Sequence, residues 1–178
     1  MRSCVVIVMG VSGAGKSTIA TRLAQRLGWD FEEGDNLHSA AAVAKMTAGR
    51  PLTDSDREPW LRAIRAWIDA ELDRGRCGVI TCSALKRRYR DQLRRPGVRF
   101  VYLQVPEQEL ARRLAQRSGH FMPASLLGSQ LAELEPPTAD EQPVTVPAGD
   151  PDQDVERIIA ALDLTPSYST GPSSSELK

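Results

Sequence analysis

The chain begins with an unbroken apolar stretch, Cys4-Val-Val-Ile-Val-Met9. A β-branched run with no polar alternation predicts a strand covered on both faces. Gly10–Gly15 follows as a loop. Ile19, Ala20, Leu23, Ala24 and Leu27 then recur at helical spacing, so a helix is expected over 17–27, with Gly28 as its stop. Trp29–Glu33 reads as a short second strand. Ala40–Ala48 and Pro59–Arg74 read as helices, the second with Trp60, Ile64, Trp67, Ile68 and Leu72 on one face. A third strand is expected at Gly78–Cys82, and a basic helix at Lys86–Arg95 is closed by Pro96-Gly97. A fourth strand at Arg99–Val105 precedes helices at Glu107–Arg117 and Leu126–Leu134. A weak fifth strand, Val144–Val146, lies between Pro143 and Pro147, and Asp154–Leu162 is the closing helix.

Strand and helix alternate, which predicts an α/β fold with a five-stranded parallel sheet and helices on both faces. Right-handed crossovers bring the C-terminal ends of the strands to one edge, where ligands bind in such folds. The length of 178 residues suits a single domain, here 1–164. Residues 165–178 are rich in Ser, Pro, Gly and Thr and are expected to be a disordered tail.

Composition narrows the class. Lys plus Arg equals Asp plus Glu at 23 each, which argues against a nucleic-acid binder with its basic surplus. Cys4, Cys77 and Cys82 fit neither a zinc site nor a disulfide framework and read as reduced core thiols of a cytoplasmic protein. No apolar run approaches the ~18 residues of a membrane span. The apolar start runs straight into the glycine loop, so it reads as a strand rather than a signal peptide.

That loop carries the strongest signal. Gly10-Val-Ser-Gly-Ala-Gly15-Lys16-Ser17 matches G-x-x-x-x-G-K-[ST], between a buried-type strand and a helix as the motif requires. Glycines let successive N–H groups curl inward around a phosphate, and the helix start adds its positive dipole end. The candidate nucleotide contacts are Gly10, Ser12, Gly13, Ala14, Gly15, Lys16, Ser17 and Thr18. Lys16 would reach the β- and γ-phosphates of ATP, and the Ser17 hydroxyl would ligate Mg²⁺. The fold expected is therefore that of a P-loop NTPase.

Such proteins include switches, motors and small-molecule kinases. The chain has neither D-x-x-G nor N-K-x-D, so a GTPase switch is disfavoured. Its third strand ends Thr81-Cys82-Ser83 rather than in the Asp-Glu of a motor or AAA-type ATPase. Three polar clusters speak for a kinase. Asp35, in Gly34-Asp-Asn-Leu-His38, would stand beside the phosphate loop and could accept a proton from an attacking hydroxyl. It lies too far before Ala40 to be the obvious helix cap, which suits Ser39 better. In the second cluster, Pro51–Trp60, Asp56 is a reasonable N-cap, so chemistry and structure are evenly matched there. In the third, Arg113 and Arg117 share a helix face ahead of Ser118-Gly-His-Phe-Met-Pro123. A mobile lid over 117–135 could bring these guanidinium groups to the γ-phosphate and exclude water, although a solvated basic helix end is the plainer reading of those residues alone.

Taken together, the clusters resemble the gluconate kinase family, relatives of shikimate and nucleoside monophosphate kinases. The matching stretches include Gly34–His38, Lys45-Met46, Gly49–Leu52, Asp54–Leu61, Cys82–Asp91, His120–Pro123, Leu126–Gln130 and Leu134–Pro136. They run in order over nearly the whole chain before the tail. The resemblance implies transfer of the ATP γ-phosphoryl group to the 6-hydroxyl of D-gluconate, with Mg²⁺, in a homodimer feeding the pentose phosphate route. It implies Lys16, Asp35 and Arg117 as catalytic residues, and Arg113 at the nucleotide. Asp35, His38, Lys45, Asp54, Arg57, Ser83, Lys86, Arg90, His120 and Gln130 fall where the sugar acid would bind. A substrate carboxylate would suit Arg57, Lys86 or Arg90. Three places depart from the family pattern: Ser39 stands where Pro is usual, Ala42 where Asn is usual, and Val146-Pro-Ala-Gly149 replaces an aspartate-bearing strand end. A kinase for shikimate or another small hydroxylated acid is the nearest alternative, and a nucleotide-dependent binding module the alternative from another class.

Overall fold

The computed structural model describes residues 3–116 and 124–167. Arg117 and His120, and the tail from 168 onward, lie outside the described residues. Five strands form one parallel sheet in the order β2-β3-β1-β4-β5: β1 (Val5–Met9), β2 (Asp30–Glu32), β3 (Gly78–Thr81), β4 (Val98–Gln104) and β5 (Val144–Pro147).

The helices are α1 (Lys16–Leu27), α2 (Ala40–Thr47), α3 (Asp54–Asp73), α4 (Arg87–Leu93), α5 (Glu107–Ala115), α6 (Leu127–Glu133) and α7 (Pro151–Leu162). Because side chains alternate along a strand, β1 serves both faces of the sheet. Val6 and Val8 pack with Leu23 and Leu27 of α1 and Ile158 of α7. Val5, Ile7 and Met9 pack with Trp60, Ile64 and Ile68 of α3 and Leu93 of α4. Each is wholly buried, as a strand covered on both sides requires.

The largest departure from the sequence expectation is α3, which begins at Asp54 rather than Pro59. Thr53 is its N-cap: its hydroxyl accepts from the Asp56 N–H at 3.2 Å, and the Asp56 carboxylate accepts from the Thr53 N–H at 2.7 Å. This reciprocal box nucleates the helix five residues early and leaves Pro59 inside it. Asp56 therefore completes the box rather than being the cap itself. Ser39 caps α2 as anticipated, accepting from the Ala42 N–H at 3.1 Å. Of the cysteines, Cys82 is buried, whereas Cys4 and Cys77 are only partly so. Among the described residues no helix is long and apolar enough to cross a membrane.

Candidate active site

The phosphate loop spans the end of β1 and the start of α1. Gly13 and Gly15 hold φ of +84° and +96°, a left-handed region that a side chain would oppose. No side chain caps the first N–H groups of α1, so they face the loop as an anion seat. Lys16 Nζ donates to the Val11 carbonyl at 3.0 Å, folding over the loop it serves.

Beside the loop stands Glu33, at the end of β2. Ser17 Oγ donates to Glu33 Oε2 at 2.6 Å, and the Thr81 hydroxyl at the end of β3 donates to Glu33 Oε1. Thr81 Oγ1 also accepts from the Gly34 N–H at 2.9 Å, and Trp60 Nε1 donates to the Gly34 carbonyl at 2.8 Å. A Cβ at Gly34 would collide with the Thr81 carbonyl oxygen. The backbone carrying Asp35 is thus clamped from both sides. The sequence reading missed Glu33, though its acidic character one residue before Gly34-Asp35 was an available signal.

A cavity opens in front of the loop. Ser12, Lys16 and Ser17 of the loop and α1 line it together with Asp35, His38 and Arg57, and Ser83 and Gln130 are also on the lining. The free space is about 50 Å³, enough for a few waters and well below the ~300 Å³ at which small-molecule pockets begin. His38 stacks on Trp60 with ring centroids 4.3 Å apart and planes 13° from parallel. Burial depresses the His38 pKa to about 4, against the pull of Asp35, so the ring is neutral at pH 7. Arg57 is buried; its Nη1 donates to the Tyr89 hydroxyl at 3.1 Å and its Nη2 to Glu133 Oε2 at 2.7 Å. Burial works against its charge, but the bonds to Glu133 and Tyr89 outweigh that and raise its pKa. The Cys82 thiol, pushed up to about 12 by burial, stays protonated beside this chemistry.

Four of the residues expected at the sugar acid are engaged elsewhere and do not line this cavity. Lys45 pairs with Asp56 at 2.5 Å, and that bond holds the Asp56 carboxyl at about 2. Asp54 takes the hydroxyl of Tyr89 and the cations of Arg88 and Lys86, the last at 3.1 Å. Arg90 lies deep in the protein, bidentate with Glu141 at 2.6 and 2.9 Å. Thr138 and Glu141 form a capping box on the short turn Ala139–Glu141, which presents Glu141 to Arg90 and Arg94. Among the three candidate carboxylate grips only Arg57 lines the cavity.

A second cavity, of about 310 Å³, lies on the other side of the loop. Leu103, Val105, Val146 and Pro147 give it an apolar lining suited to a nucleotide base, and Thr18 and Arg113 border it. Arg113 Nη1 donates to the carbonyls of Gly13 and Ala14 at 3.4 and 3.3 Å, while Glu109 holds its Nε at 2.8 Å.

A glycine cradle at a strand end, with a base-sized cavity on one side and a polar cavity holding a carboxylate on the other, defines a P-loop small-molecule kinase. The chain belongs to the gluconokinase family: it is 54% identical over 152 residues to the gluconokinase of Gluconobacter oxydans (strain 621H), a match covering 84% of this chain and 85% of that one. The crystal structure of a gluconokinase from Sinorhizobium meliloti 1021 superposes with a TM-score of 0.81 at 43% identity, covering 91% of this chain and 93% of the other. An unliganded sugar kinase from Janibacter sp. HTCC2649 gives a TM-score of 0.88 at 48% identity, covering 95% and 99%. The family model described as an AAA domain matches residues 5–137, the part that holds the phosphate loop, although β3 runs into Thr81-Cys82-Ser83 and carries no Asp-Glu pair.

Proposed function

We propose that the protein transfers the γ-phosphoryl group of ATP to the 6-hydroxyl of D-gluconate, giving 6-phospho-D-gluconate and ADP. The observation that carries this reading is the meeting of Lys16, Ser17, Asp35 and Arg57 on one cavity in front of the phosphate loop. The loop N–H groups and Lys16 hold the phosphates. Arg57 grips the acid's carboxylate at the far end of the cavity, which leaves the terminal hydroxyl toward the loop. Asp35, on its clamped backbone, orients that hydroxyl and takes its proton as the phosphoryl group leaves the nucleotide. Neutral His38 offers the polyol a hydrogen-bonding edge without adding charge. Arg113 steadies the loop from the nucleotide side. Arg117 and His120 retain the lid roles that the family resemblance implies.

The donors near the loop are hard oxygens, the Ser17 hydroxyl with the Glu33 carboxylate behind it and Asp35 on the same cavity, and they fit Mg²⁺. When bound with nucleotide, the ion offsets charge on the phosphate oxygens. Ser17 would be its protein ligand, with Glu33 fixing the direction of the Ser17 lone pairs. We also read the protein as a homodimer, on the family resemblance, which sedimentation at micromolar concentration would test.

The deciding experiment is a coupled assay of ADP release over a panel of gluconate, shikimate and neutral polyols, with phosphorus NMR of the product. Gluconate-dependent turnover yielding a 6-phosphate monoester is the result expected. ADP release that ignores added gluconate would overturn the reading.

A further inference from the structure

Two residues of α6, three positions apart and so on neighbouring parts of one helix face, present side-chain oxygens to the cavity's donors. Gln130 Oε1 accepts from the Ser12 N–H of the phosphate loop at 2.7 Å. Glu133 Oε2 accepts from Arg57 Nη2 at 2.7 Å. With α6 in this position Gln130 holds a loop N–H and Glu133 holds Arg57, so an incoming carboxylate can take Arg57 only as the Glu133 bond yields.

The Arg57 side chain is only 9% exposed, whereas that of Glu133 is 25% exposed. A guanidinium so buried is tolerated only with a charged partner. Glu133 supplies that partner in the empty protein and, being the more exposed of the two, can return to water. Building on the reading that Arg57 receives the substrate carboxylate, we propose that Glu133 is a specificity-determining residue, an internal carboxylate held on Arg57 that an incoming acid displaces like for like.

The exchange explains how an acid is chosen over a neutral sugar alcohol. A substrate carboxylate that displaces Glu133 leaves the count of buried ion pairs unchanged. A neutral polyol that displaced it would strand the buried Arg57 charge, and that loss is a rejection built into the site. The same competition sets a ceiling on affinity for the acid, because each binding event breaks an existing ion pair.

The test compares Glu133→Gln and Arg57→Lys, with KM for gluconate, KM for ATP and kcat measured separately. Glu133→Gln is expected to lower the gluconate KM about tenfold, leave the ATP KM and kcat within about twofold, and enlarge the thermal shift on adding gluconate. Arg57→Lys is expected to raise the gluconate KM at least tenfold with the ATP KM unmoved, because it loses the two-pronged grip. An unchanged gluconate KM in Arg57→Lys would overturn the Arg57 reading and this proposal with it. A raised KM in Arg57→Lys beside an unchanged or higher KM in Glu133→Gln would overturn this proposal alone. If Glu133→Gln does not fold, Glu133→Asp, whose shorter arm weakens the pair, must lower the gluconate KM in the same direction or the proposal falls.

Discussion

Ser17 and Glu33 meet at the edge of the sheet, the hydroxyl of the first donating to the carboxylate of the second at 2.6 Å. Glu33 is itself fixed by the Thr81 hydroxyl, so the ends of two neighbouring strands, β2 and β3, determine where the Ser17 oxygen points. Outer partners that orient a metal ligand typically matter about 10- to 100-fold. Glu33→Ala should therefore lower kcat by about that factor and raise the Mg²⁺ concentration giving half-maximal rate. Its gluconate KM should stay within about twofold. A magnesium titration of initial rates measures all three.

The proposed reaction gives Asp35 a different duty, since it lines the cavity assigned to the acceptor. Asp35→Asn should cut kcat by about 10²- to 10⁴-fold, the usual range for losing a general base, while nucleotide affinity holds. Lys16→Ala should abolish transfer. Equal losses of turnover and nucleotide affinity in Asp35→Asn would remove Asp35 from the proton-accepting role.

His38 predicts a pH dependence of stability. Its folded pKa of about 4 lies below the ordinary 6.5, chiefly through burial, with Asp35 opposing and Arg57 reinforcing the drop. Between those values the unfolded chain binds the proton and the folded one does not, so the contribution is intact above pH 6.5 and is lost as pH falls toward 4. Melting temperatures should decline over that window, and His38→Gln should flatten the slope. An equally steep slope in His38→Gln would show that other groups carry it.

The Arg90–Glu141 pair predicts a stability effect without a substrate effect. Its side chains are 1% and 2% exposed, and Arg94 adds a third bond to the same carboxylate at 3.1 Å. Glu141→Ala strands the Arg90 charge and should cost about 3–5 kcal/mol in urea unfolding. Replacing both partners by leucine should cost much less. The gluconate KM of any folded variant should match the parent.

These two arginines show where the sequence was legible and where it stopped. Residue types and spacing were enough for the five strands, the phosphate loop and the Ser39 cap, because each depends on local chemistry: apolar runs, glycines, a hydroxyl ahead of a helix. They could not distinguish Arg57 from Arg90. Both are arginines near polar clusters, and their surroundings diverge only when Ala139–Glu141 folds back to offer Glu141 to Arg90, while Arg57 lines the cavity. The early start of α3 escaped because Pro59 reads as a boundary, while the box between Thr53 and Asp56 outweighs it. Glu133 carried no signal at all, since its partner is 76 residues away.

Gly34 tests the clamp on the strand end that leads into Asp35. Gly34→Ala forces a methyl onto the Thr81 carbonyl and displaces the backbone that Trp60 and Thr81 hold. It should destabilise the protein by about 1–3 kcal/mol and lower kcat in whatever folds. A variant of parental stability and rate would mean that the clamp is not rigid.

The two cavities share Gly13 and Gly15 of their lining residues and nothing else among the described residues. On the proposed reading the base side of the nucleotide and the acceptor side touch only through backbone that has no side chain to alter, while Lys16 and Ser17 would serve the phosphates from within the acceptor cavity. One half can be rewritten without disturbing the other, so a new alcohol can be adopted by changing α2, α3 and α6 while the same energy source is kept.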